Sequence, residues 1–297
     1  SWTQVKEYQS GRVSPLKTLL LTDKEIRPLL SMGEVMEAVE EAFKEKGLGY
    51  VQMPSKPYLF FEKFNGDLRV MPSYLERIEV SAVKVVNSHP NNPSIYGLPT
   101  VMATIIFIDP KNGAPLAIMS GSCITAMRTG AAGGIAAKYL ARRDSKVIGL
   151  IGAGTQARTQ LVALLSVYGK LEEVRVCDKA KDVRDKFIAE MKPKYSHQCR
   201  LLPAESVKQA VEGADIAVTV TPSKSPLVMN EWVKPGAHFT CIGADAPSKE
   251  ELDPKILTRA KIVVDDLEQA LHCGEISVPW LRASSKGMIF GETCVKL

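Results

Sequence analysis

Apolar positions along this chain repeat with two different periods, and the way they alternate divides it. Val35, Ala38, Val39, Ala42 and Phe43 fall at the spacing of one helix face. Ser31-Met32-Gly33-Glu34 stands before them as a capping box, so a helix is predicted from there to about Lys46. Shorter runs then predict strands at Tyr58–Glu62, Leu68–Met71, Ser81–Asn87, Thr100–Asp109 and Pro115–Ser120. Between them lie the turn residues Asn65-Gly66-Asp67, Pro90 to Pro93 and Lys111-Asn112-Gly113. Thr18 to Leu21 is a further short apolar run, and residues 1 to 17 are polar, irregular and expected to fray. This part reads as α+β, one helix against a largely antiparallel sheet.

The pattern changes near Cys123. Ala126 to Ala141 reads as a helix of small residues that contains Gly130, Gly133 and Gly134. Each glycine costs a helix roughly 1 kcal/mol relative to alanine, a cost that close packing against another backbone would offset. From Lys146 onward, strands at Val147–Ile151, Glu173–Asp178, Cys199–Leu202, Ile216–Thr221, His238–Ile242 and Lys261–Asp265 are expected. Helices at Gln156–Tyr168, Lys181–Met191 and Glu205–Val211 fall between the earlier ones. Such alternation over short connections predicts a parallel sheet with right-handed crossovers, an α/β doubly wound Rossmann-type unit. The expected division is residues 1–124 (α+β), 125–276 (Rossmann-type) and an atypical tail at 277–297.

One turn in the second part carries recognisable chemistry. The apolar strand Val147-Ile148-Gly149-Leu150-Ile151 runs directly into Gly152-Ala153-Gly154-Thr155-Gln156-Ala157, where a helix opens. The first glycine, Gly152, permits the tight turn, and the second, Gly154, removes a side chain where a pyrophosphate must approach. The free N–H groups of Thr155, Gln156 and their neighbours then meet the phosphates. Ala157 stands where many such loops carry a third glycine. Asp178 ends the second strand, 26 residues after Gly152. A carboxylate there accepts from both hydroxyls of an adenosine ribose and repels a 2′-phosphate, which argues for NAD over NADP. Thr221, closing a later strand before Pro222, is either a further wall of the same crevice or an ordinary strand end.

Composition narrows the classes. The 297 residues, 45 % hydrophobic and 24 % charged, fit a folded two-domain protein and exclude disorder. No run approaches the ~18 apolar residues of a membrane span, and no secretory pattern opens the chain. The +5 net charge is spread without a basic stripe interleaved with aromatics, so nucleic acid is not an expected partner. Cys123, Cys177, Cys199, Cys241, Cys273 and Cys294 form no CxxC and no zinc spacing with histidine, so no metal is expected. Free thiols, buried at Cys177 and Cys241, fit a reducing, cytoplasmic setting.

Several stretches together resemble the ornithine cyclodeaminase and μ-crystallin family, and within it the archaeal type of alanine dehydrogenase. They are Lys84 to Pro90, Gly97 to Ala103, Arg128 to Gly134, Gly152 to Ala157, Ile242 to Pro247 and Gly274-Glu275-Ile276. The resemblance implies a substrate-binding and dimerisation domain followed by an NAD-binding Rossmann domain, a homodimer, and an amino acid or 2-oxo acid substrate. Trp280–Leu297 departs from the family's continuation, and the chain opens without Met. A missing C-terminal segment and a processed or partial chain are therefore expected.

Oxidation of an amino acid needs cations for the carboxylate, a proton carrier for the nitrogen, and a cofactor facing the α-carbon. Lys56, Arg69, Lys84 and Arg128 are the candidate cations. Spacing alone lets Lys84 point to water, but the resemblance implies a lysine near substrate there, with a catalytic part. Arg69 either grips a carboxylate through two parallel hydrogen bonds or sits on a sheet edge. Lys56, alone, reads as solvated, and Arg128 as an anion ligand or a helix-surface cation. Thr100 is a weaker polar contact, and His89 reads as structural. Asp245 follows a strand at a glycine turn, where parallel sheets place ligands; the resemblance implies that it handles the amine or water. It is assigned as general acid/base.

Cyclodeaminases resembling the bacterial type carry a glutamate where this chain has Arg69. A guanidinium there would repel the distal ammonium of ornithine by roughly several kcal/mol if poorly solvated. The expected reaction is therefore that of an NAD-dependent small L-amino acid (alanine) dehydrogenase. Ornithine cyclodeamination, with Glu62 or Asp67 as distal contact, and reduction of a ketimine or pyrroline-2-carboxylate stay open. So do a hormone-binding role beside the enzymatic one and an inactive, truncated dinucleotide-binding remnant.

Overall fold

Ser31 accepts a hydrogen bond from the Glu34 N–H and opens the long helix Met32–Gly47, as its spacing predicts. The computed structural model describes residues 16–284 and 294–296, so the expected fraying before Leu16 and most of the tail lie outside the described residues. The chain divides into two units. One takes the residues up to Glu34 with Glu41–Met127; the other takes Val35–Glu40 and the residues from Arg128 on.

The first unit is built on seven strands, β1 (Leu19–Leu21), β2 (Val51–Gln52), β3 (Tyr58–Phe61), β4 (Gly66–Leu75), β5 (Val80–Ser88), β6 (Val101–Ile108) and β7 (Pro115–Ser120). Their order is β1-β7-β6-β5-β4-β2, with β3 also paired to β4. All pairs are antiparallel except β1 with β7. The register places Arg69, Val86 and Ala103 in one cross-strand row, and Met71, Lys84, Ile105 and Met119 in the next. Arg69 and Lys84 therefore share one face of the sheet. Leu20, Ile118, Ile106, Val83 and Pro72 form an apolar row on the other face.

The second unit is a parallel five-stranded sheet of the Rossmann type. Its strands are β8 (Val147–Ile151), β9 (Glu173–Cys177), β10 (Arg200–Pro203), β11 (Ile216–Thr219) and, after the short β12 (Lys224–Val228), β13 (His238–Cys241). The order is β10-β9-β8-β11-β13, so the chain reverses direction across the sheet between β8 and β11. Ile148, Leu150, Val174, Val176, Ile216 and Val218 bury one face against the helices Ser122–Leu140, Thr155–Tyr168 and Lys181–Tyr195. Ile151 and Ala217 bury the other with Val211, Ile256 and Leu257. Burial on both faces explains the unbroken apolar run of β8. Lys261–Asp265 departs from expectation: Ile262–Val264 stands outside this sheet and pairs with Cys294–Lys296.

The three helix glycines have the packing reason their cost requires. A Cβ at Gly130 would lie 2.6–2.7 Å from Thr159, two of its three nearest contacts being backbone atoms. One at Gly133 would meet the Gln160 amide oxygen at 2.0 Å, and one at Gly134 the Ala163 Cβ at 2.8 Å. The helix Ser122–Leu140 thus lies nearly backbone to backbone on Thr155–Tyr168, the helix that begins at the glycine loop. Asp215 locks the opposite end of the sheet, taking the N–H groups of Lys146 and Val147 and the side chains of Arg142 and Lys234.

Candidate functional site: a glycine loop at the switch point of the sheet

The loop after β8 is shaped by main-chain geometry. Gly152 has φ +99, a left-handed region costly for any side chain, and its N–H donates to Cys177 O at 2.8 Å. A Cβ there would press on Val220 O at 3.0 Å and Thr221 Cγ2 at 3.2 Å, so the ends of β8 and β11 abut at the reversal of strand order. Gly154 is different: nothing lies within 4 Å of where its Cβ would be. It precedes the helix Thr155–Tyr168 with no side-chain cap and no acidic residue in the first turn. Open space above uncapped N–H donors with a partial positive charge is what a diphosphate requires. Ala157 is wholly buried, the small residue the helix needs there.

Side chains brace this loop. Asp178 Oδ2 accepts from Ala153 N–H at 2.8 Å and Oδ1 from Ala180 N–H at 2.9 Å. Each oxygen keeps a second lone pair. Arg158 donates to the carbonyls of Ala153 and Gly154 at 2.7 and 3.0 Å and is paired with Glu190. No sequence signal distinguished Arg158 from a solvated helix residue.

Thr221 is turned inward. Its N–H and its hydroxyl both donate to Glu251 Oε1, at 2.8 and 2.6 Å. Glu250 and Glu251 are fully buried, in the short strand β14 (Glu250–Leu252) that pairs with β12. Glu275 Oε1 in turn accepts from the N–H groups of Glu251 and Leu252, at 2.8 and 2.6 Å. Burial raises the Glu251 carboxyl above its usual range, against the opposing Thr221 bonds. It pushes Glu275 up to about 7, opposed by its two N–H partners and reinforced by Glu251 and Glu250. Sequence reading passed over Glu250 and Glu251 because an acidic pair in a short, proline-flanked segment has the composition of surface, and it named Glu275 only within the matching stretch Gly274-Glu275-Ile276.

Asp245 lies in the turn after β13, half exposed, with Lys249 Nζ at 2.5 Å. In the same unit Arg128 has a buried Nε with no hydrogen-bond partner. Burial acts against its charge, while Asp265 and Asp245 act for it. The carboxylates whose charge is felt at Arg128 are therefore Asp265 and the acid assigned from sequence.

In the first unit, Arg69 is almost buried and donates through Nε and Nη2 to both oxygens of Asp67, at 2.8 and 3.1 Å. It also lies over the Tyr58 ring. The two-pronged grip foreseen for a ligand is thus made with Asp67. Lys84 is next to this group on the same sheet face. Lys56 is half-buried in the segment between β2 and β3. Thr100 accepts from His89 N–H at 2.8 Å. The His89 ring stacks on Phe61 and fills the space a Gly66 side chain would need, a packing role. Among the described residues there is no cluster of metal-ligating side chains, and Cys123, Cys177, Cys199, Cys241 and Cys273 are not in disulfides.

Residues 16–294 match the model of the ornithine cyclodeaminase/mu-crystallin family. The chain belongs to that family. Among its members, alanine dehydrogenase of Archaeoglobus fulgidus is 51% identical over 274 residues, 92% of this chain and 80% of the relative. A solved archaeal alanine dehydrogenase dimer with bound NAD superposes with TM-score 0.85 at 49% identity, over 94% of this chain and 82% of that one. The Δ1-pyrroline-2-carboxylate reductase of Thermococcus litoralis, solved with NADH and L-proline, gives TM-score 0.87 at 42% identity, over 94% and 84%. No helix among the described residues is long and apolar enough to cross a membrane.

Proposed function

We propose that this member of the family is an NAD-dependent dehydrogenase of a small L-amino acid, with alanine as the first substrate to test. The observation that carries the cofactor reading is the uncapped helix start at Thr155 beneath the open space at Gly154. The N–H groups there would hold the diphosphate, and Asp178 the adenosine ribose. Bound NAD supplies the hydride acceptor for the substrate α-carbon.

The other roles belong to this chain's own side chains. Asp245 carries the proton to or from the substrate nitrogen, its carboxylate steadied by Lys249. Arg128, with a buried Nε that lacks a partner, binds an anionic group. Lys84 and Arg69 meet the substrate carboxylate, with Lys56 and Thr100 as further contacts. Arg69 also bears on substrate choice. Asp67 holds it in place with both carboxylate oxygens, which occupies the acid that could otherwise receive a second ammonium. That supports a short amino acid over a diamino acid.

Incubation with NAD and L-alanine is expected to yield NADH, pyruvate and ammonia in equal amounts. Conversion of ornithine to proline without alanine turnover would overturn the substrate assignment. A second reading, reduction of a cyclic imine, is favoured by the likeness to the reductase solved with NADH and L-proline. NADH oxidation by Δ1-pyrroline-2-carboxylate, faster than by pyruvate with ammonia, would establish it instead. The apolar row Leu20, Ile118, Ile106, Val83 and Pro72 supports a homodimer, which a native mass would test.

A further inference from the structure

Glu251 makes contacts that a buried acid with only a packing role would not need. Its Oε1 holds both donors of Thr221, the residue that abuts Gly152 at the switch point. Its Oε2 is turned toward the end of β13, 2.3 Å from where a Gly243 Cβ would sit, and Thr221 O lies at the same distance from that point. Only glycine can occupy position 243 beside this carboxyl. The side chain is wholly buried, and Glu275 fixes its backbone from behind through two N–H groups. One carboxyl group therefore bonds the turn that leaves β11 through Oε1 and packs against the turn that leaves β13 through Oε2, an oxygen that is buried without a hydrogen-bond partner.

Its position assigns it to one half of the crevice. The glycine loop and Asp178 follow β8 and β9, on one side of the reversal in strand order, while Thr221 and Gly243 follow β11 and β13 on the other. A dinucleotide lies across such a reversal with its two halves on opposite sides. The adenosine half belongs with Asp178, which leaves the nicotinamide half to the turns that Glu251 holds. We propose that Glu251 is a positioning residue of the dinucleotide site, whose buried carboxyl fastens the Thr221 and Gly243 turns together and so shapes the nicotinamide half of the crevice. The inference rests on the dinucleotide reading above and adds to it a residue that does not itself touch the cofactor.

The test compares NADH with ADP-ribose, which keeps the adenosine and diphosphate but lacks nicotinamide. Affinities are measured on the full chain, NADH by its fluorescence and ADP-ribose by calorimetry. Glu251→Ala is expected to weaken NADH about tenfold, as loss of a buried hydrogen-bonded clamp would, with ADP-ribose changed less than about twofold. Glu251→Gln keeps an acceptor for Thr221 and should recover most of the NADH affinity. Glu251→Asp withdraws the carboxyl by one carbon and should shift NADH in the same direction as Ala; it carries the test if the Ala variant does not fold. Equal losses for both ligands, or no loss for either, would overturn the proposal. Failure of the unaltered chain to bind either ligand would overturn the dinucleotide reading itself, and the inference with it.

Discussion

The Asp178 carboxylate accepts a hydrogen bond from the Ala153 N–H at 2.8 Å, which ties the end of the second Rossmann strand to the middle of the glycine loop. The residue proposed to read the ribose therefore also holds the loop proposed to read the phosphates. Asp178→Ala should weaken NADH at least about tenfold, the cost of losing hydrogen bonds to a charged acceptor. It should also narrow the preference for NAD over NADP, because the repulsion of a 2′-phosphate goes with the charge. Fluorescence titration with both cofactors checks this; an unchanged NADH affinity would rule out the ribose role.

Asp245→Asn should leave NADH affinity within about threefold and cut turnover by about 10²-fold or more, since the amide cannot exchange the proton. Steady-state rates beside a binding titration separate the two. Full turnover in this variant would remove Asp245 from the proposed chemistry.

Gly130→Ala would place a methyl group 2.6–2.7 Å from Thr159 Cβ, C and O, and backbone cannot swing aside as a flexible side chain can. The expected loss is about 1–3 kcal/mol in urea unfolding, the ordinary penalty of overpacking, despite alanine's better helix propensity. Gly33→Ala, where nothing lies within 4 Å, serves as the control and should be neutral or slightly stabilising.

Glu275 is held up to about 7 chiefly by burial. A carboxyl raised in the folded state keeps its proton while the unfolded chain, near 4.5, gives it up. Its contribution to stability is therefore fully present below about pH 4.5 and declines as pH rises to about 7, by up to about 3 kcal/mol. Glu275→Gln should flatten that part of the stability profile while keeping an oxygen for the N–H groups of Glu251 and Leu252. Denaturant midpoints across this range check it, and an unaltered slope would refute the assignment.

Asp215 has the opposite sign. Burial raises it, but Lys234 and the N–H groups of Lys146 and Val147 outweigh this and bring it to about 2. Its stabilisation is present above about pH 4 and lost as pH falls toward 2, worth about 2 kcal/mol. Asp215→Asn should remove that acid-side slope and lower stability at neutral pH, by thermal melts at each pH.

The sequence by itself determined the Rossmann-type architecture, its order of elements and the glycine loop. Apolar periodicity, capping and glycine at a strand-to-helix junction are local signals, and the nearest neighbours in the chain decide them. It also identified the family, because matching stretches are spread along nearly all of its length. The tertiary structure decided how polar groups are partnered. Arg69 meets Asp67, Thr221 turns inward to Glu251, and Glu250, Glu251 and Glu275 are buried although their local composition is that of surface. Partners of this kind can come from distant segments, 30 residues apart for Thr221 and Glu251 and 73 for Arg142 and Asp215. A charged side chain's surroundings depend on where those segments meet, whereas an apolar face is repeated along its own strand or helix.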